Sequence, residues 1–311
     1  IKSVAIIEVH TSSGIIGIGE TSAGIYAPDL IAPLAELIST LIEGFDPLEI
    51  DYITKSLNIP FIGGVGLFRS VVSAVEIALW DIKGQVENKP IYELLSSTHS
   101  DDVKVYASAG SVALDSDQIS NDVERALNRG FDSYKMRIGR KQWSRDIDRV
   151  EAARTMLGNN NLMVDAIMGT LQSWSENEAI EKTNELKEFN PTWVEEPLHP
   201  LNVSGYKNIY HHCNVPIAVG EGLSSKSEFD SFLDGTKCID IIQPDVTHCG
   251  FLVARDVITK AKAKEIGVAV HVWGSGISLL ANLHLSLAMK AARFSSSRRS
   301  FSSSCFSSCF S

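Results

Sequence analysis

The chain has little that would tie it to a membrane, a nucleic acid or an oxidising compartment. No apolar run approaches the roughly 20 residues that span a bilayer, and the opening residues show no signal-peptide pattern. No basic block occurs: 28 Lys and Arg face 38 Asp and Glu, and the net charge of −10 has the wrong sign for neutralising phosphates or anionic lipid. Cysteine is sparse. Cys213, Cys238 and Cys249 form no CxxC pair, and Cys305 and Cys309 lie four apart without a neighbouring histidine. Neither a disulfide framework nor a zinc site is therefore expected, and reduced thiols in a cytoplasmic protein are. These absences argue against nucleic-acid and membrane partners and leave a small molecule. The remaining composition, 44% hydrophobic and 21% charged, is that of an ordinary soluble globular chain. Its 311 residues suffice for a barrel and a smaller second domain.

What is present is a recurrence. Lys135, Asp165, Glu195, Glu221, Asp245 and His271 follow one another at steps of 30, 30, 26, 24 and 26 residues. Each ends a short apolar run rich in β-branched residues: FDSYK, NLMVD, TWVEE, PIAVGE, IDIIQPD and VAVH. One step is the length of a strand plus a helix. In a parallel βα barrel the C-terminal strand ends face one mouth, so these six side chains are expected to converge there.

The organisation along the chain agrees. Residues 1–20 read as a β-hairpin, VAIIEVH and IIGIGE flanking a turn at Ser12, Ser13 and Gly14. From Pro28 to Leu95 the pattern is helical, with Val72, Val75, Glu76, Leu79 and Ile82 at three- and four-residue spacing. Residues 1–100 thus form an α+β domain. From Val103 strands and helices alternate, with glycines stopping helices at Gly130 and Gly158. Residues 101–293 hold seven strands of a TIM-type (β/α) barrel, the last being VAVHVWG. An eighth strand should follow Ala292. Residues 294–311, FSSSRRSFSSSCFSSCFS, stand there instead and read as a disordered or artefactual tail.

Three carboxylates on consecutive strands, Asp165, Glu195 and Glu221, suit Mg²⁺, which prefers oxygen ligands and keeps positions open for substrate. Lys135 and Arg137 are two apart on a strand and share its inner face. Cations buried there require carboxylates or an anionic ligand. Asp245 and His271 end adjacent strands, so Asp245 can fix one tautomer of His271 and raise its basicity.

These residues carry a resemblance. SAVEIALWDIKGQVENKPIYELL (73–95), YKMRIG, MVDA, WVEEPL, VGEGL, QPDVTHCG and HVWGSG are similar, in content and order, to the mandelate racemase and muconate lactonizing enzymes of the enolase superfamily. The resemblance implies an α+β capping domain on a modified barrel, with Mg²⁺ held by Asp165, Glu195 and Glu221 and Glu196 beside it. It implies that Lys135 is the first lysine of the family's KxK motif, that Asp245 and His271 are the dyad of the mandelate racemase subgroup, and that the protein is a homo-oligomer. The implied chemistry is removal of a carboxylate's α-proton and stabilisation of the resulting enediolate. Arg137 departs from KxK; a guanidinium stays protonated near neutrality, which leaves His271 as the natural single base, with Lys135 as the alternative.

One base favours elimination over racemisation. HVWGSG and the KxR pair, with Arg137 and Trp273 contacting substrate, point toward sugar-acid dehydratases and lactone cycloisomerases; a racemase or epimerase, or a non-catalytic relative, is the alternative. Ile167 stands where many relatives carry Asn, and Gly250–Phe251 where Gly–Gly is common. The family's first capping strand and its eighth barrel strand are expected to be missing here.

Overall fold

In the computed structural model, residues 3–62, 64–139, 142–169 and 173–291 are described, together with the backbone of 295–296, 299–300 and 305–308. The hairpin forms as its alternation demands. β1 (Ala5–His10) pairs antiparallel with β2 (Ile16–Thr21), Ala5 opposite Thr21 and His10 opposite Ile16. The short helices α1 (Ala23–Tyr26), α2 (Ile31–Ile42) and α3 (Ile50–Ser56) lead to α4 (Gly66–Glu87), followed by α5 (Ile91–Leu95). Helix α4 is buried along most of its length from Phe68 to Ile82 because it packs against the hairpin on one side and the barrel on another.

The barrel strands are β3 (Val105–Ser108), β4 (Ser133–Arg137), β5 (Asn161–Asp165), β6 (Trp193–Glu195), β7 (Ile217–Val219), β8 (Ile241–Ile242) and β9 (Gly267–Val270). Each pairs in parallel with the next. The intervening helices are α6 (Ser116–Asn128), α7 (Trp143–Leu157), α8 (Glu176–Leu186), α9 (Val203–His212), α10 (Lys226–Leu233) and α11 (Val246–Ala263), with α12 (Gly276–Met289) after β9. Capping boxes start three of them, at Asp115/Gln118, Ser175/Glu178 and Ser225/Glu228. None of the helices among the described residues is long and apolar enough to cross a membrane.

The tail departs from expectation. Two-residue strands β10 (Ser295–Ser296) and β11 (Arg299–Ser300) pair with each other. Then β12 (Cys305–Ser308) lies parallel between β9 and β3, taking the eighth place and closing the barrel. Where the sequence sets a Ser-rich tail, read as disordered or artefactual, in place of an eighth strand, the backbone of Cys305–Ser308 pairs on both sides. A seven-stranded curl leaves two edges of unpaired N–H and C=O groups, and backbone pairing asks little of the side chains that satisfy it. The remaining tail residues lie outside the described ones.

Inside the barrel, Tyr106, Met163, Trp193, Ala218, Ile241 and Ala269, from six strands, form an apolar floor. Lys135 lies level with Met163 in register, so it rises from the floor toward the mouth.

Candidate metal centre and proton-transfer pair

Asp165 and Glu195 are the last residues of β5 and β6 and sit opposite each other in register. Glu221 follows β7 by two residues. One oxygen from each of the three lies within 4.8 Å of the others, the geometry of a group that can hold a metal ion. Lys135, 1% exposed, donates to Glu195 Oε1 and stands 3.6 Å from Asp165 Oδ2 and 4.0 Å from Glu221 Oε2. It is mid-strand rather than at a strand end, as the recurrence had suggested, and reaches the acids from below. Arg137 ends β4; its Nε is 3.8 Å from Asp165 Oδ2 and its Nη1 donates to the Ala109 carbonyl. Its side chain, 29% exposed, opens onto the mouth.

Charge crowding sets the titrations. Burial and the neighbouring Glu195 push Asp165 up to about 7, against the pull of Lys135. Burial opposes ionisation of Glu195 too, but Lys135 and the amide of Gln243 hold it at about 2. Glu221 is raised by its enclosure and by Glu195, with His271 and Lys135 opposing. Lys135 stays well above the ordinary lysine value although burial works against it, because Glu195, Tyr106, Asp165 and Glu221 surround it.

His271 immediately follows β9. Its Nδ1 donates to Asp245 Oδ2 at 2.9 Å, while its Nε2 lies 3.2 Å from Glu221 Oε2. Burial would lower its pKa, yet Glu221 and Asp245 hold it at about 9. Asp245 is fully buried and N-caps α11, its Oδ1 accepting from Thr247 N, Thr247 Oγ1 and Asn282 Nδ2. All six recurring residues therefore come together, and Trp273 joins them at the rim, its ring 5.8 Å from that of Tyr26. A cavity of about 940 Å³ opens over Arg137, Asp165, Ile167, Glu221 and His271.

Several contributors were not singled out in the sequence. Trp193 Nε1 and Gln243 Nε2 both donate to Glu195 Oε2, at 3.0 and 2.8 Å. Each lies two residues before a recurring acid, a period-two signal within WVEE and QPD. Ser108, two after Tyr106 on β3, lines the cavity with a buried hydroxyl that has no partner among the described residues. Gly250 has φ +79°, and a Cβ there would stand 2.1 Å from Glu76 Oε2. The space is taken by a clasp: Glu76 and Arg69 of α4 cross to α11, where Leu252 N donates to Glu76 and Arg69 donates to the Cys249 carbonyl.

A parallel barrel with three clustered acids at its mouth and a hairpin-and-helix layer beside it is an enolase-like architecture, and residues 118–303 match the enolase C-terminal domain-like family. Residues 1–96 match the mandelate racemase/muconate lactonizing enzyme N-terminal domain. The chain belongs to the mandelate racemase/muconate lactonizing enzyme family of the enolase superfamily. Over 300 residues it is 31% identical to an L-talarate/galactarate dehydratase of Salmonella typhimurium, across 92% of this chain and 70% of that protein. It is 30% identical over 270 residues to a 3,6-anhydro-alpha-L-galactonate cycloisomerase of Streptomyces coelicolor, across 85% and 73% respectively. The crystal structure of a racemase from Streptomyces coelicolor with bound magnesium matches with a TM-score of 0.85 at 27% identity, over 98% of this chain and 81% of that one.

Proposed function

We propose that the chain removes the α-proton of a sugar-acid carboxylate with His271 as base, leading to dehydration or lactone cycloisomerisation, with Mg²⁺ held by Asp165, Glu195 and Glu221. The observation that carries this reading is the convergence of three acids within 4.8 Å on the Asp245-paired His271. The donor set fits a hard divalent cation: it is all oxygen, and Glu196 beside it keeps a buried carboxylate oxygen without a partner among the described residues. Bound there, the cation supplies a Lewis acid for the substrate carboxylate.

The chain's own residues supply the rest. Asp245 holds Nδ1–H of His271, so Nε2 is the nitrogen that would take the proton from Cα once a cation at the three acids offsets the Glu221 charge that holds the ring protonated. Lys135, kept cationic by three acids, offsets the charge left on the substrate, and the Arg137 fork receives the carboxylate at the mouth. In dehydration, the Cα–H electrons form a Cα–Cβ double bond, and the β-hydroxyl leaves as water with the proton returned by Nε2. The enol then becomes a 2-keto-3-deoxy acid.

The sugar-acid class draws support from the dehydratase and cycloisomerase names of the relatives. A racemase reading needs a second base; Lys135, tied to three carboxylates, is poorly placed to be neutral. Deuterium exchange at Cα tests the assignment. His271→Asn is expected to stop exchange while magnesium still binds; exchange that survives this change but is lost in Lys135→Ala reverses it.

A further inference from the structure

The loop leaving His271 is held by a residue from the opposite end of the chain. Glu20, at the end of the hairpin strand β2, is 2% exposed. Its Oε1 accepts from Ser275 N at 2.8 Å; its Oε2 accepts from Ser275 Oγ at 2.5 Å and from Ser278 N at 2.9 Å. A carboxylate is well suited to these donors, which open α12 and carry the positive end of the helix dipole. Gly274 leaves room for it: a Cβ there would lie 2.5 Å from Glu20 Oε1.

One turn further along α12, Asn282 donates to the Ser278 carbonyl at 3.1 Å and to Asp245 Oδ1 at 2.9 Å, and accepts from Val246 N at 3.0 Å. The loop carrying Asp245 is held from the same side. The Thr247 carbonyl accepts from Ser22 Oγ at 3.2 Å and from Ser73 Oγ at 2.9 Å. A continuous series of buried contacts therefore runs from Glu20 through Ser278 and Asn282 to Asp245 and His271. It differs from the Arg69–Glu76 clasp, which joins α4 to α11 without touching the loop that follows His271.

We propose that Glu20 is a positioning residue for the Asp245–His271 pair, fixing the first turn of the helix that orients both side chains. The N-terminal hairpin is then part of the proton-transfer apparatus. This rests on the reading of His271 as the base.

Glu20→Gln is the sharpest test. In either amide orientation its NH₂ meets at least one backbone N–H that a carboxylate oxygen had accepted. With the folded variant, cation affinity and KM are expected to stay within about twofold while kcat for α-proton exchange falls at least about tenfold. Independently, the downfield Nδ1–H signal of His271 in the imidazole ¹H–¹⁵N spectrum, which reports its hydrogen bond to Asp245, is expected to shift or broaden. A wild-type exchange rate with an unchanged imidazole spectrum overturns the proposal, as does a kcat loss that merely follows weakened cation binding. If Glu20→Gln does not fold, Glu20→Asp, with its charge one methylene short of Ser278, takes its place and is held to the same two readouts. Should wild type exchange no sugar acid, the reading of function fails, and the imidazole spectrum still decides whether Glu20 positions His271.

Discussion

Replacing Gly250 by alanine should be among the costliest single-methyl changes in the molecule. Gly250 combines φ +79° with ψ 167°, a region open essentially to glycine alone, so any Cβ costs about 1–3 kcal/mol in the backbone. The methyl would also stand 2.1 Å from Glu76 Oε2 and 3.0 Å from Arg69 Nη2. Displacing that carboxylate breaks its bonds to Leu252 N at 2.7 Å and to Arg69 at 3.3 Å, charge-assisted contacts worth about 1.5–3 kcal/mol each. Together the loss is about 5 kcal/mol, which lowers Tm by about 10 °C for a chain of this size. Thermal melting followed by near-UV circular dichroism reads it directly. In a Glu76→Ala background the collision disappears, and Gly250→Ala should then cost only the backbone share, about 1–3 kcal/mol. A Gly250→Ala protein melting within about 2 °C of wild type refutes the reasoning. So does an equal cost in both backgrounds.

Other outcomes follow from the same contacts. Asp165→Asn keeps the shape but removes a charge from the acid cluster, and should weaken magnesium at least about tenfold by calorimetric titration; unchanged affinity removes Asp165 from the ligand set. Burial raises Glu76 to about 6 against the partial relief of Arg69. Its proton is held more tightly folded than unfolded, so the stability it contributes is complete below about 4.5 and is lost as pH rises through about 6, amounting to about 2 kcal/mol. The wild-type minus Glu76→Gln difference in denaturant stability should show that slope, and a flat difference contradicts it. Ile167 is a β-branched residue at φ +46°, so Ile167→Asn should relieve left-handed strain and raise stability by about 1 kcal/mol; a lower Tm would show that Ile167 packing outweighs the strain.

Much of the site was legible because barrel geometry turns linear spacing into convergence. Asp165 and Glu195 fall on the last residues of their strands, and His271 one residue beyond its own, as the apolar runs indicate. Lys135 was found by the same spacing, but its height was not; register with Met163 sets it on the barrel floor, and register is a property of paired strands. Glu76 shows the limit of helical periodicity. Its position on the apolar stripe signals burial but not the partner, the Leu252 amide far along the chain, beside a glycine that leaves room for the carboxylate. Glu20 is invisible for the same reason, since its donors on α12 lie about 255 residues away. The closing strand at Cys305–Ser308 carries no apolar pattern because backbone pairing on two open edges does not require one.

The central claim is cation-dependent loss of an α-proton to His271, and ¹H NMR in D₂O tests it most directly. Wild type and His271→Asn would be incubated with Mg²⁺ and a panel of aldonates, aldarates and aldarolactones, with parallel samples in EDTA. The expected result is loss of one substrate's α-proton signal with wild type and magnesium only, accompanied by a 2-keto-3-deoxy or ring-opened product. Exchange that continues in EDTA or in His271→Asn, or a folded wild type that exchanges no member of the panel, contradicts the account.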